Sequence, residues 1–120
     1  MHIGSMPRKD LVAASARPLL LSILAEGENY GYAIIQRVKE LSGGVLQWTD
    51  GMLYPVLHRL EKEGLIVASW RTPESGRKRK YYQLKPDGKR ALETERADWI
   101  AVDATLKKAW SGGGAQFATA

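Results

Sequence analysis

Residues 53–71 read Leu53-Tyr54-Pro55-Val56-Leu57-His58-Arg59-Leu60-Glu61-Lys62-Glu63-Gly64-Leu65-Ile66-Val67-Ala68-Ser69-Trp70-Arg71, and the period of the apolar residues changes within them. Leu53, Leu57 and Leu60 recur at helical spacing, whereas Ile66 to Arg71 is a short run rich in β-branched and aromatic residues, as a strand requires. Gly64 separates the two as a helix stop, and Thr49 is placed to cap the helix at its start. A helix handing over directly to a strand fixes the middle of the fold.

Upstream, Lys9 to Ala25 predicts a first helix with Leu20, Ile23 and Leu24 on one stripe, ended near Gly27. Asn29 is read as the N-cap of a second helix from Tyr30 to about Leu41, with Ile34, Val38 and Leu41 inward, before Ser42-Gly43-Gly44 breaks it. Downstream, Lys80 to Leu84 pairs with Ile66 to Arg71 as a hairpin whose long tip includes Thr72-Pro73-Glu74-Ser75-Gly76. Pro86 suits the first turn of a last helix reaching about Trp110, where Ser111-Gly112-Gly113-Gly114 is expected to end it. The predicted class is mainly α with a small β-hairpin, a winged helix-turn-helix followed by a long C-terminal dimerisation helix. Residues 1–8 are read as a flexible N-terminus or tag remnant, 9–85 as the DNA-binding domain, 86–111 as the dimerisation helix and 112–120 as a disordered tail.

The net charge of +5 is not spread evenly. Residues 49–90 hold ten Lys or Arg against five Asp or Glu, so the basic excess is local to the third helix and hairpin. Local positive charge is the footprint of a polyanion-binding surface, because neutralised phosphates release condensed counterions. The densest part is Gly76-Arg77-Lys78-Arg79-Lys80-Tyr81-Tyr82, four consecutive cations beside strand aromatics. On the third helix, the side opposite the leucines presents Tyr54, Pro55, His58 and Lys62, with Arg59 alongside. A helix of this kind enters a major groove, with Tyr54 and His58 donating to bases or phosphates and Arg59 and Lys62 neutralising the backbone. Thr49 belongs to the same end, and Tyr30 and Tyr32 are placed to reach phosphates beside the amides of the second helix.

On the last helix Leu92, Trp99 and Leu106 recur every seven residues with Val102 and Ala109 beside them, a stripe that calls for a partner helix and hence a two-fold homodimer on palindromic double-stranded DNA. Leu92, Trp99, Val102 and Leu106 are the expected interface. Where the copies cross, Trp99 would leave a slot for flat aromatic molecules, faced by Pro18, Leu21, Ser22 and Ala25 of the first helix. A Trp99 that merely seals the interface is the competing reading of the same residue.

Other classes find little support. With no cysteine and only His2 and His58, there is neither a thiolate nor a carboxylate–histidine pair at metal-ligand spacing, and no phosphate-cradling glycine loop follows a strand. An enzyme, a metal site and a cofactor are therefore not expected. No apolar run approaches the roughly 18 residues of a membrane span, and the opening lacks the pattern of a signal peptide, so a cytoplasmic location is expected.

Taken in order, Tyr30-Gly31-Tyr32, the segment from Leu53 to Ile66, and Gly76 to Tyr82 resemble the PadR family of transcriptional regulators over roughly residues 9–110. The single long last helix, with Trp99-Ile100-Ala101-Val102-Asp103, resembles the short subfamily of LmrR-type multidrug-binding repressors. That resemblance implies a dimer whose interface pore holds planar drugs between paired tryptophans, with Trp99 in that role, Asp103 one turn on, and Leu21, Ser22 and Ala25 on the opposite wall. Glu95 and Arg96 depart from the small or apolar residues that such members favour, which implies a narrower or more polar slot. The alternative is a winged-helix regulator without a small-molecule site, controlled by protein partners or by its own expression level.

Overall fold

A computed structural model of the chain describes residues 6–74 and 76–119, with side chains up to residue 112. Its order is α1 (Lys9–Ala25), β1 (Asn29–Tyr30), α2 (Gly31–Leu41), α3 (Asp50–Lys62), β2 (Ile66–Arg71), β3 (Arg79–Leu84) and α4 (Pro86–Thr119). The first and third helices and the hairpin fall close to where the apolar spacing puts them, whereas Leu41, expected to face inward at the end of α2, is exposed. Leu20, Leu21 and Leu24 of α1, Ile34 and Val38 of α2, and Leu53, Leu57 and Leu60 of α3 form one core that Tyr82 of β3 closes from the sheet side. Full burial of such a side chain contributes about 1.5–3 kcal/mol, so this shared apolar centre dominates the stability of the unit.

Three expectations are corrected. Asn29 does not cap α2: it lies in a two-residue strand, pairing with Tyr82 as Tyr30 pairs with Tyr81. Its side-chain oxygen accepts from the Tyr30 N–H, and α2 starts one residue later than expected. The hairpin thereby becomes a three-stranded antiparallel sheet in the order β1-β3-β2. The last helix does not stop at Trp110 but continues through Gly112-Gly113-Gly114 to Thr119, in place of the expected tail. Glycine lowers helix propensity by roughly 1 kcal/mol but keeps its N–H, so it weakens the ladder without terminating it. Residues 1–5 and 120 lie outside the described residues; of the expected flexible start, Arg8 serves as N-cap of α1.

Two fastenings hold α4 to the body. Arg17 of α1 makes an ion pair with Glu63 at 2.7 Å, just past α3, and another with Glu95 of α4, so one guanidinium joins three helices. The first turn of α4 also lies so close to the start of β2 that a Cβ at Gly88 would run into the Leu65 carbonyl oxygen and the Leu84 side chain. Leu92 is the last α4 residue in the core, and every residue from Arg96 to Gly112 is exposed. At about 1.5 Å per residue, that stretch is an arm of roughly 25 Å reaching past the body.

Candidate nucleic-acid interface

The start of α3 is set by Thr49, whose hydroxyl oxygen accepts from the Met52 N–H at 3.3 Å. With Leu53, Leu57 and Leu60 buried, the helix turns Gly51, Tyr54, Pro55, His58 and Lys62 outward, as the spacing requires. Tyr54 and His58 form a tilted aromatic pair with centroids 6.5 Å apart. Tyr54 is seated by Gly31 at the start of α2, where a Cβ would stand 2.5 Å from the phenol oxygen and 3.2 Å from the ring carbon that bears it. The glycine of Tyr30-Gly31-Tyr32 therefore allows a tyrosine of α3 to lie against α2. Arg59 is turned to the α1 side, where it edges a separate cavity of about 760 Å³ floored by Val12, Ala16, Trp48, Met52 and Val56.

The hairpin carries the second group. β2 and β3 are in register from Ile66↔Leu84 to Arg71↔Arg79, and the tip between them includes Arg77 and Lys78, both exposed. Cations here are laid on aromatic rings: Lys78 over Trp70 at 5.5 Å, Lys80 over Tyr82 at 5.6 Å, Arg79 over Tyr30 at 4.4 Å and Arg71 over Tyr81 at 5.4 Å. Such contacts contribute about 0.5–1 kcal/mol each at exposed sites, enough to bias where the charges point. Burial pushes the Tyr82 hydroxyl up to about 12, and among the described residues this hydroxyl has no hydrogen-bond partner.

The sequence-derived candidates divide accordingly. Tyr32, Tyr54, Pro55, His58, Lys62, Arg77 and Lys78 stand exposed on α2, α3 and the tip, whereas Tyr30, Arg79 and Lys80 are half-buried and occupied with aromatic neighbours. Thr49 is exposed but its oxygen is engaged as the cap. Trp70, Arg71 and Glu28 were not among the candidates. The cross-strand register that brings Trp70 opposite Lys80 and Arg71 opposite Arg79 would have found two of them, while nothing local marks Glu28.

On the arm, a groove of about 230 Å³ runs between Ser15, Pro18, Leu19 and Ser22 of α1 and Leu92, Arg96, Trp99 and Ile100 of α4. It brings Trp99 and Ser22 together as expected, with Arg96 among its walls. Leu21 is corrected: it is fully buried, pointing into the core on the other side of α1. Leu92 is corrected likewise, since at 4% exposure it is largely covered by its own chain rather than open to a partner. Ala25 is exposed near the end of α1 outside the groove, and Asp103 is exposed one turn beyond Trp99, paired with Lys107 at 3.0 Å. Trp99, Ile100, Val102, Leu106 and Trp110 remain as large exposed apolar residues. Among the described residues, no cluster of His, Asp or Glu could hold a metal ion, and no helix is long and apolar enough to cross a membrane.

Comparison with known proteins gives a consistent answer. The model of the transcriptional regulator PadR-like family matches residues 20–94. A transcriptional regulator of Mycobacterium tuberculosis is 36% identical over 88 residues, 73% of this chain and 78% of that protein. A solved transcriptional regulator from Clostridium thermocellum superposes with a TM-score of 0.77 at 25% identity, covering 86% of this chain and 97% of that one. A PadR family transcriptional regulator from Eggerthella lenta gives 0.70 at 30% identity, covering 82% and 84%.

Proposed function

The chain belongs to the PadR-like family of transcriptional regulators, and from that premise we propose that it is a DNA-binding repressor acting as a homodimer, released by a planar aromatic molecule held between the arms. Residues 9–85 are the DNA-binding unit and the part of α4 from 86 to 111 joins the copies. The observation that carries this reading is the pairing of the outward face of α3 with a cationic hairpin tip in one small unit. The width of the major groove admits α3, placing Tyr54 and His58 at base edges or phosphates, with Lys62, Arg77 and Lys78 on the sugar-phosphate backbone. Tyr32 reaches phosphate from α2, while Tyr30, Arg79 and Lys80 act through their aromatic contacts.

The arm supports the dimer. Trp99, Val102 and Leu106 are three or four residues apart, so they form one exposed ridge that a second α4 covers by two-fold pairing. Two heads fixed to one pair of arms meet a palindrome in successive grooves. The Trp99 groove is smaller than the roughly 300–1,000 Å³ of a drug-sized site, so a second copy completes it. An aromatic ligand there acts only insofar as it favours one spacing of the heads over the other.

Fluorescence anisotropy on duplexes from the chain's own upstream region tests the reading. Binding should weaken steeply with salt, and replacing Arg77 and Lys78 by Ala should make that dependence shallower. Affinity that ignores salt would overturn it in favour of protein contacts.

A further inference from the structure

We propose that Glu28 and Arg71 form a lock that sets the angle of the hairpin and thereby the DNA sequence preference, without touching DNA themselves. The proposal rests on the DNA-binding reading above and adds to it a pair of positioning residues.

Residues directly opposite in an antiparallel sheet share a face, as do every second residue along a strand. Arg71 and Arg79 are the outermost register pair of β2 and β3, so two like charges stand opposite each other where the tip begins. Left alone, such a pair repels and frays the hairpin. Tyr81 and Tyr30 lie on the same face, Tyr30 being the β1 partner of Tyr81. Here each guanidinium is laid on a different tyrosine: Arg79 stacks over Tyr30 at 4.4 Å and Arg71 lies over Tyr81 at 5.4 Å. The two tyrosines meet edge to face at 5.4 Å. Arg71 then donates through both terminal nitrogens to the two carboxylate oxygens of Glu28, which lies just before β1 in the α1–α2 connection.

The contacts form a continuous line from β2 across β3 to the connection. A bidentate guanidinium–carboxylate pair fixes direction as well as distance. The paired register of β2 and β3 ends at Arg71 and Arg79, so the direction of the tip follows from this last pair. Three residues after Glu28 comes Gly31, the seat of Tyr54. Residues 28–31 thus hold both the hairpin and an outward residue of α3, and they fix the one relative to the other.

The lock and simple electrostatics predict different outcomes for the ratio of selected to random affinity. Glu28→Gln removes a negative charge, which by charge alone strengthens binding to any DNA. A lock predicts lost discrimination instead. Anisotropy titrations would use the duplex that the unaltered protein selects from a random pool and, separately, the unselected pool, with thermal melts confirming each variant is folded. Glu28→Gln should lower the ratio of selected to random affinity about tenfold while random affinity holds or rises. Arg71→Lys keeps the charge but not the two-pronged geometry, and should lower the ratio similarly with an unchanged salt slope. The swap Glu28→Arg with Arg71→Glu should restore much of the ratio. An unchanged ratio in folded Glu28→Gln and Arg71→Lys, with Arg77→Ala and Lys78→Ala still weakening binding, would refute the lock and leave the DNA-binding reading standing. Absence of salt-dependent DNA binding by the unaltered protein would overturn both.

Discussion

Replacing Gly31 by Ala should leave the fold nearly as stable as before and yet impair DNA binding, because the added methyl collides with one movable group. A Cβ at this position stands 2.5 Å from the Tyr54 phenol oxygen, while Leu53, the nearest core side chain, is at ordinary contact distance of 3.5 Å. Tyr54 is 37% exposed and can swing outward. Alanine gains up to roughly 0.5–1 kcal/mol over glycine in a helix, and losing the contact with the Tyr54 ring offsets most of it, so net stability should change by less than about 1 kcal/mol. What is lost is the direction of the Tyr54 hydroxyl. One hydrogen bond contributes about 0.5–1.5 kcal/mol, so each head should lose up to roughly tenfold in affinity, and a two-headed complex up to the square of that. Urea unfolding would measure the first effect and anisotropy the second. In a Tyr54→Ala background Gly31→Ala should be nearly silent, since both changes act through one side chain. Undiminished DNA affinity, or an equal loss in the Tyr54→Ala background, would refute the reasoning.

Tyr82→Phe should stabilise the chain by about 1 kcal/mol in urea unfolding, because it removes a buried hydroxyl that lacks a partner among the described residues. Because burial raises this hydroxyl from 10.0 to about 12, the unfolded chain gives up the proton first once pH passes 10, so the stability present below pH 10 falls as pH rises toward 12; the Phe variant should lack that alkaline loss. The Arg17 guanidinium holds the Glu63 carboxyl below the ordinary value of 4.5, so its contribution is present above that pH and fades as pH falls through the folded value. Glu63→Gln should therefore flatten the acid limb of a stability–pH profile by about 1 kcal/mol or less, since the pair is partly exposed. Trp99→Ala should weaken binding of a planar cationic dye roughly tenfold in a fluorescence titration, since ring stacking adds about 0.5–1.5 kcal/mol per pair; unchanged affinity would remove the dye from that groove.

The parts of the fold that announce themselves are those in which period and punctuation agree. Leu53, Leu57 and Leu60 followed by Gly64 place α3 and its outward face, and the switch of period at Ile66 places the hairpin. Strand β1 was hidden because two residues carry no period and Asn29 is as good a helix cap as a strand residue; its role depends on Tyr82, distant in sequence. Leu21 and Leu92 each sit on stripes that a sequence cannot orient, so whether they face a partner or their own core is settled only by packing. Glu28 shows the same limit for function: its meaning comes from Arg71, which only the sheet register carries to its side.

Two heads, joined by their arms, are to meet one symmetric duplex. Sedimentation equilibrium of the chain mixed with a palindromic duplex selected from a random pool weighs that complex directly. Two chains of 13.3 kDa per duplex, with a half-palindrome binding at least 100-fold more weakly, is the predicted result. A complex with a single chain, or equal affinity for the half-site and the whole, would contradict it.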